Sequence, residues 1–349
     1  MNIRRKIRVL VVDDSLLFRE TLARGISSDP GIEVVATASD PYMARDKIIE
    51  FNPDVMTLDV EMPKMNGIEF LRRLMPQHPI PVVVVSSISD NVFHALNAGA
   101  VDFVEKSDAR TGKGMEYLIN EIKIKIKIAS TANVSVWKTN TSGKNIGAAA
   151  KPDSNIQVIA MGASTGGTEA IYRILKLFSR DMPGIVIVQH MPPLFTKMFA
   201  DRLNNTTLLE VKEAEHGDKI VPGRVIIAAG DSHMRIRKGS QSFSVECYEG
   251  EKISGHCPSV DVLFESVAQA AGQHALGVLL TGMGSDGARG LLSMRQKGAR
   301  TLAQDELSSV VYGMPKVAYE LGAAEKRVSL DRMAQTMYSI INGRSSDDK

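Results

Sequence analysis

The stretch at residues 156–173 reads IQVIAMGASTGGTEAIYR and contains an apolar run, a glycine-rich turn and an amphipathic run. The apolar run from Ile156 to Met161 predicts a buried strand, and the apolar spacing after Gly167 predicts a helix. Glycines at the junction permit the tight turn that joins the two elements. A strand that passes directly into a helix is the repeating unit of an α/β fold with a parallel sheet.

The same alternation continues downstream of this unit. Strand-like apolar runs occupy residues 184–189, 224–229, 275–281 and 300–303, and amphipathic stretches separate them. We therefore predict a doubly wound parallel sheet, with helices on both faces, for residues 155–346.

A second α/β pattern lies upstream, over residues 5–128. Its strand-like runs are residues 7–12, 33–36, 55–58, 81–86 and 102–105. Residues 121–128 read EIKIKIKI, and this alternation by itself indicates a strand. However, Leu118, Ile122 and Ile126 also form a helical stripe, so we predict a final helix that packs on the sheet.

Residues 129–154 separate the two patterns and lack apolar periodicity. They read ASTANVSVWKTNTSGKNIGAAAKPDS, which is rich in Ser, Thr, Asn, Ala, Gly and Lys. Such a composition buries too little apolar surface to offset the entropy of ordering, so we predict a flexible linker. A length of 349 residues accommodates two domains of ordinary size, which agrees with this division.

Composition excludes several classes of protein. Lys and Arg number 42 and Asp and Glu 40, for a net charge of +2, so we expect no nucleic-acid partner. Hydrophobic residues make up 44% and charged residues 23%, as in ordinary globular proteins. The two cysteines are too few for a disulfide framework or a four-cysteine zinc site. Because the sequence has no signal-like or membrane-spanning apolar run, we expect no direct membrane insertion and a cytoplasmic location.

Carboxylates follow two of the upstream strands and predict a metal site. Asp13 and Asp14 come directly after residues 7–12, and Asp59 comes directly after residues 55–58. The carboxyl ends of parallel strands form the ligand-binding edge of an open α/β sheet. Clustered carboxylates repel one another, and a hard divalent cation such as Mg2+ offsets that repulsion. Mg2+ takes oxygen ligands and usually retains waters that a phosphoryl group can replace.

Two further polar residues lie at the ends of the next strands on that edge. Ser86 supplies a hydroxyl and Lys106 supplies a cation. A metal, a lysine and a carboxylate placed for in-line attack are what phosphoryl transfer to an aspartate requires. Taken singly, Asp13 and Asp14 are more simply a solvated turn and Lys106 a surface lysine. The occurrence of all these groups at successive strand ends favours the phosphoryl site.

Residues 5–128 resemble the receiver domain of bacterial response regulators, a flavodoxin-like fold. The resemblance rests on the order of elements and on VDDS at 12–15, LDVEMP at 58–63, NG at 66–67 and AGA at 98–100. It implies that Asp59 accepts a phosphoryl group from a histidine kinase. It also implies that Asp13, Asp14 and Asp59 hold Mg2+.

The same resemblance assigns the remaining receiver residues. It implies that Ser86 and Phe103 are switch residues and that Lys106 contacts the phosphate. The family usually has a proline after that lysine, and here Ser107 replaces it. Whether this chain has the cis peptide that normally orients the lysine loop therefore stays open, although Lys106 itself is present.

The turn at residues 162–166 has the GxSxG pattern of a nucleophile elbow. Ser164 would be exposed on this turn, where the amides of a helix N-terminus can stabilise an oxyanion. The same turn could instead cradle a nucleotide phosphate, or Ser164 could be an N-cap residue. The motif alone leaves these alternatives open.

Two further strand ends supply the partners that a nucleophilic serine needs. His190 follows residues 184–189, and Asp286 follows the apolar run at 275–281. In a triad, the histidine takes the serine proton and the aspartate fixes the tautomer of the histidine. The order Ser, His, Asp disfavours an α/β-hydrolase, in which the histidine comes last, and no P-loop sequence occurs. A dinucleotide-binding fold stays open but explains neither His190 nor Asp286.

The motifs of nearly the whole chain resemble those of the chemotaxis protein-glutamate methylesterase family. The resemblance rests on GASTGGT at 162–168, QHMPPLFT at 189–196, AAGDSHM at 228–234, PSVD at 258–261, LTGMGSDG at 280–287 and GMP at 313–315. It implies that Ser164 is the nucleophile, His190 the general base and Asp286 the orienting acid. It also implies hydrolysis of γ-glutamyl methyl esters and deamidation of glutamines on methyl-accepting chemotaxis receptors, with no cofactor for the hydrolysis.

Within this resemblance, the amides of Thr165 and Met283 are the oxyanion-hole candidates. His233 and His256 are candidates for lining the cleft, with packing roles as the alternative.

We interpret the two domains together as a phosphorylation-activated serine hydrolase. In this hypothesis the unmodified receiver blocks the catalytic domain, and phosphorylation of Asp59 by a chemotaxis histidine kinase relieves the block. The rival interpretations are a response regulator whose output is a binding module, and a nucleotide-dependent oxidoreductase.

Overall fold

The computed structural model describes residues 5–87, 90–106, 112–135, 155–240 and 242–343. Its contacts divide the chain into two units, Met1–Asn140 and Thr141–Lys349. Each unit contains a parallel sheet, and helices separate most of its successive strands, which confirms the predicted α/β fold class. Most of the predicted linker, residues 136–154, lies outside the described residues, so the linker and its bounds stay a prediction.

The first unit alternates strands and helices in the predicted order. Its elements are β1 (Ile7–Val12), α1 (Leu16–Ser27), β2 (Ile32–Ala38), α2 (Pro41–Phe51), β3 (Val55–Leu58), α3 (Gly67–Gln77), β4 (Val82–Ser86), α4 (Asp90–Asn97), β5 (Asp102–Glu105) and α5 (Gly112–Ala129). In the described part of this unit, the strands form a parallel five-stranded sheet in the order β2-β1-β3-β4-β5. The chain reverses its direction of travel across the sheet between β1 and β3, and such switch points are where open α/β sheets bind ligands.

The segment that reads EIKIKIKI lies within helix α5, as predicted. Leu118, Ile122 and Ile126 are buried at 1% exposure or less, so their four-residue spacing forms the face that packs on the sheet. The intervening lysines lie on the other faces, where Lys125 donates to Asp102 at 2.8 Å. Helical spacing of the apolar residues thus outweighs the period-two alternation.

The second unit is built around a larger sheet. Its elements are β6 (Val158–Ala163), α6 (Gly167–Leu175), β7 (Gly184–Gln189), α7 (Pro193–Thr206), β8 (Glu210–Glu213), β9 (Lys219–Ile220), β10 (Arg224–Ile227), β11 (His233–Lys238), β12 (Phe243–Tyr248), α8 (Val260–Ala270), β13 (Ala275–Leu279), α9 (Ala288–Gln296), β14 (Arg300–Gln304), α10 (Met314–Glu320), β15 (Lys326–Val328) and α11 (Leu330–Ile341). Among the described residues, seven strands pair in parallel in the order β15-β14-β13-β6-β7-β10-β8. The residues of β6, β7 and β13 are all buried, so the centre of the sheet is also the centre of the core.

Five strands of this unit were not predicted. β8 and β15 lie at the two edges of the parallel sheet, and β9, β11 and β12 form an antiparallel sheet. These strands are short or alternate apolar with polar residues, so they lack the continuous apolar runs that mark β6, β7 and β13. Strand β6 also starts two residues later than the predicted run, at Val158.

None of the helices in the described ranges is both long enough and apolar enough to cross a membrane.

Candidate active site

The central strands of the second unit bring the three predicted triad residues to one edge of the sheet. Strand β6 pairs in parallel with β13 on one side and with β7 on the other. Ser164 follows β6, His190 follows β7, and Asp286 lies in the loop between β13 and α9. Because the register pairs Ala163 with Gln189, Ser164 and His190 leave the sheet side by side.

Backbone hydrogen bonds hold Ser164 in a tight turn before α6. Its amide donates to the Thr281 carbonyl at 3.0 Å, and its carbonyl accepts from the Gly167 amide at 2.8 Å. Gly166 has a φ of 78°, in the left-handed region that favours glycine. A Cβ at Gly166 would also lie 2.6 Å from Val310 Cβ, so the turn admits no side chain there. Ser164 itself is partly exposed, as a nucleophile must be.

His190 and Asp286 form a direct hydrogen bond. His190 Nε2 lies 2.8 Å from Asp286 Oδ2, and the two side chains are only 8% and 2% exposed. An ionised carboxylate can only accept, so Nε2 carries the proton and Nδ1 keeps its lone pair. In the described part of the chain, Nδ1 is buried with no hydrogen-bond partner. Nδ1 is therefore the ring nitrogen that is free to take a proton from a hydroxyl.

The N-terminus of α8 fixes Asp286. Its Oδ1 accepts from the Ser259 hydroxyl at 2.8 Å and the Asp261 amide at 3.0 Å, and its Oδ2 accepts from the Val260 amide at 2.7 Å. Burial alone would raise the pKa of Asp286, but the hydrogen bond and charge of His190, with these amides, hold that pKa below its usual value. Asp286 therefore stays ionised in a fixed orientation.

Gln189 ties the serine turn to the histidine. Its Nε2 donates to the carbonyls of Ser164 at 2.9 Å and His190 at 3.1 Å, and its side chain is buried. Sequence reasoning missed the roles of Gln189 and Ser259. Ser259 does carry a local signal, because a serine before an apolar helical run is a typical N-cap. Gln189 carries none, since its partners are backbone atoms of two loops.

A second imidazole lies flat on His190. The ring centroids of His190 and His256 are 3.7 Å apart and the ring planes differ by 8°. The two rings are in face-to-face contact, so His256 limits the orientations open to the His190 ring. His233, by contrast, uses both nitrogens for structure: Nδ1 accepts from the Ser259 amide at 3.3 Å, and Nε2 donates to the Glu251 carbonyl at 2.9 Å. Of the two histidines considered for the cleft, only His256 touches the triad.

The two candidates for an oxyanion hole belong to the serine turn and to the loop after β13. Thr165 follows Ser164 on the turn and is buried. Met283 follows Gly282, whose backbone lies so close that a Cβ there would be 2.7 Å from Ser164 Cβ. Both amides thus belong to segments that border the serine, and their role stays a prediction.

The first unit brings its predicted carboxylates together around Lys106. Lys106 Nζ donates to Asp13 Oδ2 at 2.7 Å and to Asp59 Oδ2 at 2.5 Å. Ligand oxygens of Asp13, Asp14 and Asp59 lie within 4.8 Å of one another. Asp13 and Asp59 are buried, whereas Asp14 is exposed and gives the cluster an open side.

The donor set of this cluster suits a divalent cation. Burial raises the pKa of Asp13 above its usual value, against the hydrogen bond and charge of Lys106, and the Asp59 charge adds to that increase. A hard cation would relieve this cost, because carboxylate oxygens are the ligands that Mg2+ prefers. Asp13, Asp14 and Asp59 therefore fit Mg2+.

The remaining predicted receiver residues lie in the last two strands of the first unit or directly after them. Ser86 ends β4, and its carbonyl accepts from the Lys106 amide at 2.9 Å. Phe103 lies in β5 and is buried. Ser107 lies outside the described residues.

Comparison with known proteins identifies both units. Residues 159–337 match the family model for CheB methylesterase, and residues 9–112 match the model for the response regulator receiver domain. A protein-glutamate methylesterase/protein-glutamine glutaminase of Syntrophomonas wolfei is 60% identical over 342 residues, which cover 97% of this chain and 98% of the relative. The protein of that name from Escherichia coli K12 is 47% identical over 341 residues, which cover 97% of each chain.

A solved structure supports the comparison for the second unit. The crystal structure of the CheB methylesterase catalytic domain of Thermotoga maritima matches with a TM-score of 0.52 at 34% identity. The match covers 53% of this chain and 98% of that one.

Proposed function

The chain belongs to the CheB methylesterase family, and from that premise we propose which of its residues carry the chemistry. The protein is a protein-glutamate methylesterase/protein-glutamine glutaminase with a receiver domain, an enzyme of chemotaxis adaptation. The observation that carries the residue assignment is the hydrogen bond of 2.8 Å between His190 and Asp286 beside the Ser164 turn.

Ser164 Oγ attacks the δ-carbonyl carbon of a methylated receptor glutamate, while His190 Nδ1 takes the serine proton. The imidazolium that forms is stabilised by Asp286, which is ionised and held by four donors. The negative oxygen of the tetrahedral intermediate is stabilised by the amides of Thr165 and Met283. His190 then returns the proton to the methoxy oxygen, and methanol leaves an acyl-enzyme.

Hydrolysis of the acyl-enzyme repeats these steps with water. His190 Nδ1 takes a proton from the water as its oxygen attacks the acyl carbon, and then gives that proton to Ser164 Oγ. The products are free glutamate on the receptor and regenerated enzyme. A glutamine substrate follows the same course with ammonia as the first leaving group, so the hydrolysis needs no cofactor.

The first unit is the proposed phosphoryl acceptor. Asp59 takes a phosphoryl group from a histidine kinase, and Lys106 lies where it would neutralise charge on the transferred oxygens. Mg2+ held by Asp13, Asp14 and Asp59 supplies further charge neutralisation when bound. Ser86 and Phe103 then transmit the effect of phosphorylation, and phosphorylation increases the rate of ester hydrolysis.

The proposal assigns residues 5–128 to the receiver, 129–154 to the linker and 155–346 to the methylesterase domain. Its partners are a chemotaxis histidine kinase and the cytoplasmic parts of methyl-accepting chemoreceptors, with no nucleic acid and no membrane insertion. Those partners imply a cytoplasmic location.

The test of the triad is release of methanol from methylated receptor by Ser164→Ala in the full chain. We expect the rate to fall by about 10⁴-fold or more, because the nucleophile is lost. Ser285→Ala is the matched control, since Ser285 is an exposed serine of the neighbouring loop. Equal rates for wild type and Ser164→Ala would disprove the assignment.

A further inference from the structure

A second buried carboxylate lies beside Asp286. Asp261, in the first turn of α8, is 6% exposed, and its own amide donates to Asp286 Oδ1 at 3.0 Å. Burial raises the pKa of Asp261 above its usual value, the Gly290 amide opposes that increase, and the charge of Asp286 adds to it. Two carboxylates close together in the interior cost folding free energy, so packing alone does not account for Asp261.

One oxygen of Asp261 caps the helix that follows Asp286. Asp261 Oδ1 accepts from the Gly290 amide at 2.8 Å. Gly290 is the third residue of α9, and the amide at that position is one that an N-cap side chain normally binds. The N-cap residue of α9 is Gly287, which has no side chain to do so. Asp261 therefore supplies from α8 the cap that α9 lacks.

The two aspartates cap each other's helix. Asp286 lies just before α9 and accepts from the Val260 amide of α8 at 2.7 Å, while Asp261 lies in α8 and accepts from α9. The helix starts are in direct contact, because a Cβ at Gly290 would lie 2.9 Å from the Asp261 carbonyl oxygen and one at Gly287 2.5 Å from Val260 Cγ1. The position of Asp286 is thus tied to that of Asp261.

The other oxygen of Asp261 binds the turn that carries His256. Asp261 Oδ2 accepts from the Ser254 hydroxyl at 3.4 Å. Backbone hydrogen bonds of 3.0 Å close this turn, and the rings of His256 and His190 are stacked with their centroids 3.7 Å apart. Asp261 is therefore bonded to two segments that contact His190, one through Asp286 at Nε2 and one through His256 on the ring face.

We propose that Asp261 is a positioning residue for the triad, whose carboxylate holds Asp286 and His256 in place against the His190 ring. The inference rests on the proposed function. By fixing Asp286 Oδ2 at hydrogen-bond distance from Nε2, Asp261 keeps the proton on that nitrogen and leaves Nδ1 free for the serine proton. A displacement of about 1 Å in such groups can cost about 100-fold in rate.

Three variants of the full chain test this role. Asp261→Ala removes both acceptor oxygens, whereas Asp261→Asn keeps an acceptor for the Gly290 amide and a polar group for Ser254. Asp331→Ala is the matched control, because Asp331 occupies the same second position in α11 and pairs with Arg173 of α6, away from Asp286. If Asp261→Ala does not fold, Asp261→Ser is measured in its place, since serine is favourable at a helix start.

Methanol release from a methylated receptor cytoplasmic fragment gives kcat and KM for each variant. We expect Asp261→Ala to lower kcat by about 10- to 100-fold and to keep KM within about twofold of wild type, because the lost group acts on the triad. Asp261→Asn should keep kcat within about threefold of wild type, since the acceptor for α9 is retained. Asp331→Ala should have the wild-type kcat.

Proton NMR separates positioning from a mere loss of stability. The proton on His190 Nε2 lies in a hydrogen bond to an ionised carboxylate, so we expect a low-field signal that is missing in His190→Gln. Asp261→Ala should shift or broaden this signal at temperatures well below its Tm. Asp261→Asn and Asp331→Ala should leave the signal where it is in wild type.

Three results would overturn the proposal. The first is a wild-type kcat in Asp261→Ala. The second is an equal loss of kcat in Asp261→Ala and Asp261→Asn, which would mean that the acceptor for α9 is not what matters. The third is an unchanged His190 signal in Asp261→Ala with a lower kcat or Tm, which would mean a structural role alone. If wild type releases no methanol, or Asp286→Asn keeps wild-type kcat, the proposed function fails instead, and neither result can be confused with the first three.

Discussion

The tautomer of His190 is set by one neighbour. Asp286 Oδ2 lies 2.8 Å from Nε2 and can only accept, so Nδ1 is the basic nitrogen. At the scale of single residues, the proposed triad thus depends on Asp286 staying ionised. The low pKa of Asp286 serves this need, because burial is outweighed by His190 and by the amides at the start of α8.

Glu169 shows the opposite balance. It lies in the first turn of α6, its side chain is 19% exposed, and Arg202 Nη2 is 3.9 Å from its Oε2. Burial raises the pKa of Glu169 to about 7, since the charges of Arg202 and Arg173 only partly offset the loss of solvation. Glu169 therefore changes its charge near neutral pH.

A raised carboxyl pKa makes the folded state lose stability as pH rises. Between the unfolded pKa of about 4.3 and the folded pKa of about 7, the folded state binds more protons than the unfolded state. Between pH 4.5 and pH 8, we expect the free energy of unfolding of wild type to fall by about 1–3 kcal/mol more than that of Glu169→Gln. Thermal unfolding of both chains across that range would measure this.

Glu320→Gln is the control for that prediction, because Glu320 is an exposed glutamate of α10 in the same unit. Its pH dependence should follow wild type. Identical pH dependence for Glu169→Gln and wild type would contradict the expectation.

At the scale of elements, the N-terminus of helix α8 holds Asp286 of the proposed triad in place. Its N-cap Ser259 and the first two amides of the helix supply three of the donors around Asp286. The Ser259 hydroxyl also accepts from the Val262 amide, at 3.5 Å. Helix position and aspartate orientation are therefore linked through Ser259.

Ser259→Ala should lower both stability and activity. Loss of the cap costs about 1 kcal/mol of unfolding free energy, and loss of one donor to Asp286 should lower kcat by about tenfold. Methanol release and the thermal unfolding midpoint are the measurements.

Ser329→Ala is the matched control, because Ser329 caps α11 without a side-chain hydrogen bond. We expect little change in either quantity for that variant. If Ser259→Ala has the same kcat as Ser329→Ala, the N-terminus of α8 does not support the catalytic role of Asp286.

At the scale of the whole molecule, one chain carries a receiver domain and a methylesterase domain. The proposed phosphoryl-acceptor site is the cluster of Asp13, Asp14, Asp59 and Lys106 in the first unit. Because the two units are covalently linked, phosphorylation of the first can affect the second without a separate binding step.

Asp59→Asn should remove stimulation by a phosphodonor. We expect the ratio of methanol release with and without phosphodonor to fall to unity, while basal hydrolysis stays as in wild type, because the triad lies in the other unit. A chelator of divalent cations should have the same effect on wild type, since the hydrolysis itself is proposed to need no metal.

The exposed Asp46→Asn, also in the first unit, is the control and should keep the wild-type ratio. If a phosphodonor stimulates methanol release by Asp59→Asn as strongly as by wild type, the phosphoryl acceptor is a different residue.

Much of the fold was predictable because the central strands are buried on both faces. Continuous apolar runs such as Gly184–Gln189 are visible in the sequence for that reason. The edge strands and the antiparallel sheet of β9, β11 and β12 were not predicted, because half-exposed short strands leave weak patterns.

The sequence by itself determined two α/β units, the residues at their strand ends and the family motifs, because strand order and strand polarity bring those ends to one edge. Tertiary structure alone decided which nitrogen of His190 is basic, that His256 stacks on it, and that Gln189 and Ser259 hold the site together. Those relations join residues far apart in the chain through side-chain and backbone contacts. Such contacts depend on how α8 and the loops pack on the sheet, and no local pattern records that packing.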